Sequence, residues 1–247
     1  MNFKNTNGPQ VCTFQQALLQ ASAPDGGLWT TKLECIPVLS RNEIREMRGK
    51  SYIEIAFSVL RYYLEDEIAP VVLHQLLSQA YDETIITIAL ESVSNDRFIL
   101  RLDRGPTLAF KDYAMRFLAI MISHFLTKLG LDRGIIGATS GDTGPAAIKA
   151  FHHQRGVHCF ILYARDNPTA AQRRQMTTVG GNTFALQVND GDFDVCQALM
   201  KRMLADKEFA CEVFGDTDYF TTANSINLAR VLAQIVYHFL GVFQTGD

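Results

Sequence analysis

The stretch Gly134-Ile135-Ile136-Gly137-Ala138-Thr139-Ser140-Gly141-Asp142-Thr143-Gly144-Pro145 decides the fold class. Gly134 to Ala138 is short and apolar, which predicts a strand, and the glycine, hydroxyl and aspartate run after it is turn chemistry. A helix is expected from about Thr143 to Gln154, and Val157 to Tyr163 reads as the next strand. Strand, loop, helix and strand in that order form a βαβ unit with parallel strands.

Toward the C-terminus two similar rounds follow: a helix at Pro168 to Val179 with a strand at Thr183 to Val188, then helices at Asp192 to Ala205 and Ser225 to Phe243. Toward the N-terminus, Asp112 to Leu129 is a strong helix with Gly130 as its C-terminal cap, preceded by a short strand at Phe98 to Leu102. Strands regularly separated by helices predict an α/β fold, an open parallel sheet with helices on both faces. From Gln10 to about Asn95 the pattern is mainly helical, with breaks at Ala23-Pro24-Asp25-Gly26-Gly27 and around Pro37. Ser51 to Leu64 places Ile53, Ile55, Ala56, Val59 and Leu60 on one face; Val71 to Tyr81 and Glu83 to Leu90 also read as helices. The expected division is a helical region at 1–95 and an α/β region at 96–247, without an internal repeat.

With 247 residues, 47% of them hydrophobic, the chain has enough apolar material for a sizeable core. Its 23 Lys and Arg against 26 Asp and Glu give no overall electrostatic reason to expect nucleic acid or an acidic membrane as partner, so anion recognition has to be local. Cys12, Cys35, Cys159, Cys196 and Cys211 are scattered and form no metal-ligand spacing, which points to a reducing compartment. His152, His153 and His158 lack a carboxylate or cysteine partner at ligand spacing, so no metal is expected. Met1 to Asn7 has no apolar leader pattern, and the apolar run from Phe117 is broken at Ser123 and His124. These features lead to the expectation of a soluble, cytoplasmic protein.

In open parallel sheets ligands bind where strand ends lead into helix starts, and three loops fit that place. In Gly105-Pro106-Thr107-Leu108-Ala109-Phe110-Lys111-Asp112, a lysine beside Phe110 and Leu108 would shed water and present its amine as a nucleophile toward an aldehyde. In Thr139 to Thr143, hydroxyls and helix-start amides make a cradle for an anion such as a carboxylate. This loop matches neither the Walker pattern nor the dinucleotide fingerprint. In Thr221 to Arg230, Asn224 and Ser225 stand at a helix entrance and Arg230 within two turns of it, a set suited to phosphate. Each loop taken singly also has a plainer reading: a solvated lysine, an Asp142 or Thr143 helix cap, and an Asn/Ser cap with a surface arginine.

In this order and spacing the three motifs resemble threonine synthase, a pyridoxal-phosphate enzyme of the tryptophan-synthase β-subunit fold type (fold type II). Ala17-Leu18-Leu19, Ala23 to Leu28 and Ser51 to Ala56 are similar to the family's N-terminal region. The resemblance implies that Lys111 holds pyridoxal 5'-phosphate and moves protons, with Phe110 and Asp142 beside the cofactor. It further implies that Thr139, Ser140 and Asp142 lie around the substrate carboxylate and cofactor ring. Thr143, Asn224, Ser225 and Arg230 would take the phosphate of O-phospho-L-homoserine. The implied reaction converts that substrate and water into L-threonine and phosphate, in a monomer or homodimer. Family members continue with a glycine- and asparagine-rich loop for the cofactor phosphate and a hydroxyl residue facing the pyridine nitrogen, and neither motif occurs before Asp247. The chain is therefore expected to hold the N-terminal region and the first part of the catalytic unit. Two alternatives are a phospholyase that releases phosphate without making threonine, and a non-catalytic, truncated chain.

Overall fold

The computed structural model describes residues 1–245. The chain forms two compact units, Met1–Phe117 with Ser225–Asp247, and Leu118–Asn224.

In the first unit, strands β1 (Phe3–Asn5), β2 (Val11–Cys12) and β3 (Trp29–Thr30) form a small antiparallel sheet in the order β2-β1-β3. Helices α1 (Phe14–Gln20), α2 (Arg41–Met47), α3 (Tyr52–Leu64) and α4 (Pro70–Ala80) follow in the chain. Three of them start at reciprocal capping boxes, Thr13 with Gln16, Ser40 with Glu43 and Ser51 with Glu54, which satisfy backbone donors that a helix leaves open. Helix α3 buries Ile55, Ala56, Val59, Leu60, Tyr63 and Leu64, while Ile53, expected on the same face, is half-buried. The chain then makes an antiparallel hairpin of β4 (Ala89–Ser94) and β5 (Arg97–Arg101) and enters α5 (Lys111–Leu129).

Three expectations for this region need correction. The leading region is not all-helical, because it also holds the three-stranded sheet. Glu83 to Leu90, expected as a helix, is a turn that runs into β4. The carboxylate of Asp82 accepts from the Thr84 amide (2.9 Å) and hydroxyl (2.7 Å), closing a local turn, and the β-branched Thr84-Ile85-Ile86-Thr87-Ile88 then favours extended chain. The strand expected at Phe98 to Leu102 forms, but in this hairpin and not in the parallel sheet.

The second unit carries β6 (Arg133–Thr139), α6 (Thr143–Phe151), β7 (Val157–Ala164), α7 (Ala170–Thr177), β8 (Thr183–Val188), α8 (Phe193–Ala205), α9 (Lys207–Phe214) and β9 (Phe220–Thr222). The four strands pair in parallel in the order β8-β7-β6-β9. Ile161 and Leu162 are neighbours on β7 and therefore face opposite ways. Ile161 lies 3.1 Å from where a Cβ on Gly144 of α6 would stand, whereas Leu162 joins Ile136, Ala164, Cys196 and Met200 in a core with α8. Helices thus cover both faces of an α/β sheet, as the alternating pattern led one to expect. Sequence reading did not separate α9 and β9 from their surroundings; Asp206 starts α9 by accepting from the Phe209 amide, and Gly215 at φ 74° ends it.

The chain leaves the second unit and forms α10 (Leu228–Gln244), which packs against α3 in the first. Its start is three residues later than expected, because Asn227 is the N-cap.

Candidate active site

The strand order puts a switch point inside the second unit. From β6 the chain steps outward through β7 to β8, then returns to lay β9 on the other side of β6. The loops that leave β6 and β9 at their carboxyl ends flank the place where open parallel sheets hold ligands. Thr139, Ser140, Asp142 and Thr143 leave β6 there, and Asn224 leaves β9.

Thr139 organises the first loop. Its buried hydroxyl donates to the Gly141 carbonyl (2.9 Å) and accepts from the amides of Gly141 (3.1 Å) and Gly144 (2.9 Å). Gly144 is required for close approach, since a Cβ there would stand 2.5 Å from Met176 Sδ and 2.5 Å from Thr139 Cγ2. Ser140 and Asp142 are exposed and Thr143 is half-buried at the first turn of α6, whose dipole favours an anion. Asp142 occupies the N-cap position of α6 without a side-chain cap bond; its Oδ1 instead accepts from Gln172 Nε2 at 2.7 Å. The plainer reading of Asp142 as a helix cap is therefore not what the loop builds. On the other loop, the buried Thr222 hydroxyl accepts from the Asn224 amide at 3.2 Å, turning the chain as it leaves β9.

In the first unit, Lys111 is the first residue of α5, half-buried, with Nζ 5.2 Å from the centroid of the Phe110 ring. That distance is in the range where an ammonium and an aromatic face attract. The turn before it is locked by Asp112, whose buried carboxylate accepts from the Thr107 amide (2.9 Å) and hydroxyl (2.8 Å). Burial pushes the Asp112 carboxyl above the usual range, outweighing the two Thr107 bonds, which pull it down. Gly105 leaves room for this latch, because a Cβ there would sit 2.5 Å from Asp112 Oδ2. Two turns into α5, Arg116 donates to the carbonyls of Ala80 (2.7 Å) and Gln79 (2.8 Å) at the end of α4, and Tyr113 Oη donates to the Thr87 carbonyl (2.5 Å). The lysine therefore stands on a helix start tied to its surroundings on several sides.

Arg230 is only 4% exposed, so the plainer reading of a surface arginine fails. It lies among the buried residues of α10 with Ala229 and Ala233. Burial pulls its guanidinium below the usual arginine value, the response of a cation held off water. Asn227 sets where the helix starts: Oδ1 accepts from the Ala229 amide (3.1 Å) and Nδ2 donates to the Leu18 carbonyl of α1 (2.9 Å). Among the described residues, no group of three or more His, Cys, Asp or Glu side chains is placed to hold a metal ion.

Residues 2–81 match the family model for the threonine synthase N terminus. The threonine synthase of Pseudomonas aeruginosa is 36% identical over all of this chain, which covers 52% of that protein. The crystal structure of the pyridoxal-phosphate-bound threonine synthase from Brucella melitensis superposes with a TM-score of 0.90 at 38% identity, over 100% of this chain and 52% of that one. The chain belongs to the threonine synthase family. The Escherichia coli threonine synthase structure agrees, with a TM-score of 0.86 at 34% identity over 99% of this chain and 54% of its own. The chain spans about half the length of the curated relatives it matches.

Several residues of this family member escape notice in the sequence alone. Asp112 was visible as a helix-start acid, but its latch on Thr107 needs the turn to be seen. Gln172 gave a signal only as the last member of Thr169-x-x-Gln172, a capping-box pattern.

Proposed function

We propose that the chain serves a threonine synthase, converting O-phospho-L-homoserine and water into L-threonine and phosphate in cytoplasmic threonine biosynthesis. The carrying observation is that family similarity runs through the whole chain, while the loops at Lys111, Thr139 and Asn224 carry the residue types this reaction needs. The cofactor is pyridoxal 5'-phosphate in a fold type II enzyme, as the resemblance implied.

The residues fit that group. An amine half-buried at the start of a fixed helix, above an aromatic ring, suits covalent attachment to an aldehyde. When bound, the cofactor supplies an electron sink for carbanions formed on the substrate. Lys111 would hold it through its amine, and the same amine would carry protons between substrate carbons. Phe110 and Asp142 would stand beside the cofactor, with Asp142 also toward the substrate, as the resemblance implies. Thr139 holds the shape of its loop, so that Ser140, Asp142 and the first amides of α6 take the carboxylate. For the substrate phosphate the resemblance points to Thr143, Asn224, Ser225 and Arg230, whose guanidinium is buried; charge-assisted bonds to a guanidinium contribute roughly 1.5–3 kcal/mol each.

Product analysis tests the reading. The intact protein, loaded with cofactor and given O-phospho-L-homoserine, is expected to release threonine and phosphate in equal amounts. Ketobutyrate and phosphate without threonine would make it a phospholyase, and no turnover at all would leave the non-catalytic alternative.

A further inference from the structure

Helix α7 lies outside the three motifs, yet its cap reaches into one of them. Thr169 and Gln172 form a reciprocal capping box: the Gln172 amide donates to Thr169 Oγ1 (3.2 Å), and Gln172 Oε1 accepts from the Thr169 amide (2.9 Å) and hydroxyl (3.1 Å). With both donors on Oε1, the side-chain orientation is settled, and Nε2 is turned outward. That nitrogen donates to Asp142 Oδ1 at 2.7 Å. It also stands 3.3 Å from where a Cβ on Gly141 would be, so the loop backbone passes directly beside it. Met176, one turn further along α7, packs where Gly144 has no side chain. The same helix therefore meets the loop at two points, one polar and one apolar.

We propose that Gln172 is a positioning residue: it fixes the rotation of the Asp142 carboxylate and so aligns that carboxylate with the group it meets during the reaction. The proposal rests on the reading of Asp142 given above. Its logic is that a carboxylate on an exposed loop turns freely about its last bond unless one oxygen is held, and a short bond from an amide that is itself held at its other end does so.

Gln172→Glu separates positioning from folding, because glutamate serves in a capping box as well as glutamine but has no hydrogen to give Asp142. It places two carboxylates at hydrogen-bond distance, and such pairs share a proton as pH falls. In the intact protein kcat/KM is expected to drop roughly tenfold or more at pH 8 and to recover toward pH 6, with the melting temperature little changed. Unchanged activity and an unchanged pH profile overturn the proposal. In the cofactor-free protein labelled with aspartate carrying carboxyl 13C, the Asp142 signal is expected to titrate at higher pH in Gln172→Glu than in the parent; coincident titrations overturn it too. Should Gln172→Glu not fold, Gln172→Leu decides: a roughly tenfold loss in kcat/KM with the parent's pH profile supports the proposal, and parental activity refutes it. Asp142→Asn tells the two failures apart. If it is impaired while the Gln172 variants are not, only the positioning role falls; if it behaves like the parent, the reading of Asp142 falls and takes this proposal with it.

Discussion

At Leu108 the backbone turns through φ +62°, a left-handed conformation that costs a non-glycine residue roughly 1–2 kcal/mol. Its side chain is largely exposed, so packing does not offset that cost. What holds the turn is the next polar pair along, Thr107 bonded twice to the buried Asp112 carboxylate, and Lys111 follows directly. Strain at this position is thus kept by a latch on one side of the lysine. Asp112 leaves a signature in pH. A carboxyl whose value in the folded state is raised above its unfolded one binds a proton more tightly when folded. Its contribution to stability is complete below the unfolded value near 3.8 and is lost as pH rises through the folded one. The stability of the parent relative to Asp112→Asn is therefore expected to fall as pH rises across this window, in urea titrations at each pH. A pH-independent difference would show that Asp112 is not desolvated as described.

At the scale of elements, the loop after β6 depends on how closely α6 and α7 approach it. Gly144→Ala would drive a methyl group into Met176 Sδ and Thr139 Cγ2, each 2.5 Å from the added carbon. A well-packed contact of this kind is expected to lose about 1–3 kcal/mol of unfolding free energy, read from denaturant midpoints, and to weaken binding of the substrate carboxylate. Stability equal to the parent's would mean that the helices move apart freely. Most of this part of the fold was legible in the sequence. β6, β7 and β8 fall within a residue or so of their expected bounds, because short apolar runs closed by turn residues carry their own signal. The β4–β5 hairpin was less legible, since its mixed polar and apolar residues face solvent and no single period dominates. The burial of Arg230 was not legible for a related reason: it is decided by the neighbours that α10 meets and not by the spacing of residues along the helix. The Gln172 contact was beyond reach, because residues thirty positions apart meet only once β7 and α7 are placed.

For the molecule as a whole, 23 basic against 26 acidic side chains offer no broad positive field, so the proposed anion recognition rests on local devices: helix-start amides, hydroxyls and a buried guanidinium. Among the described residues no helix is long and apolar enough to cross a membrane. Of the residues proposed for the reaction, Phe110, Lys111, Ser225 and Arg230 belong to the first compact unit, and Thr139 to Thr143 and Asn224 to the second. The most direct measurement is to load the intact protein with pyridoxal phosphate, reduce it with borohydride, digest it and locate the phosphopyridoxyl group by mass spectrometry. The expected result is one group on Lys111 and none taken up by Lys111→Ala; the group on another lysine, with Lys111 unmodified, would contradict the account.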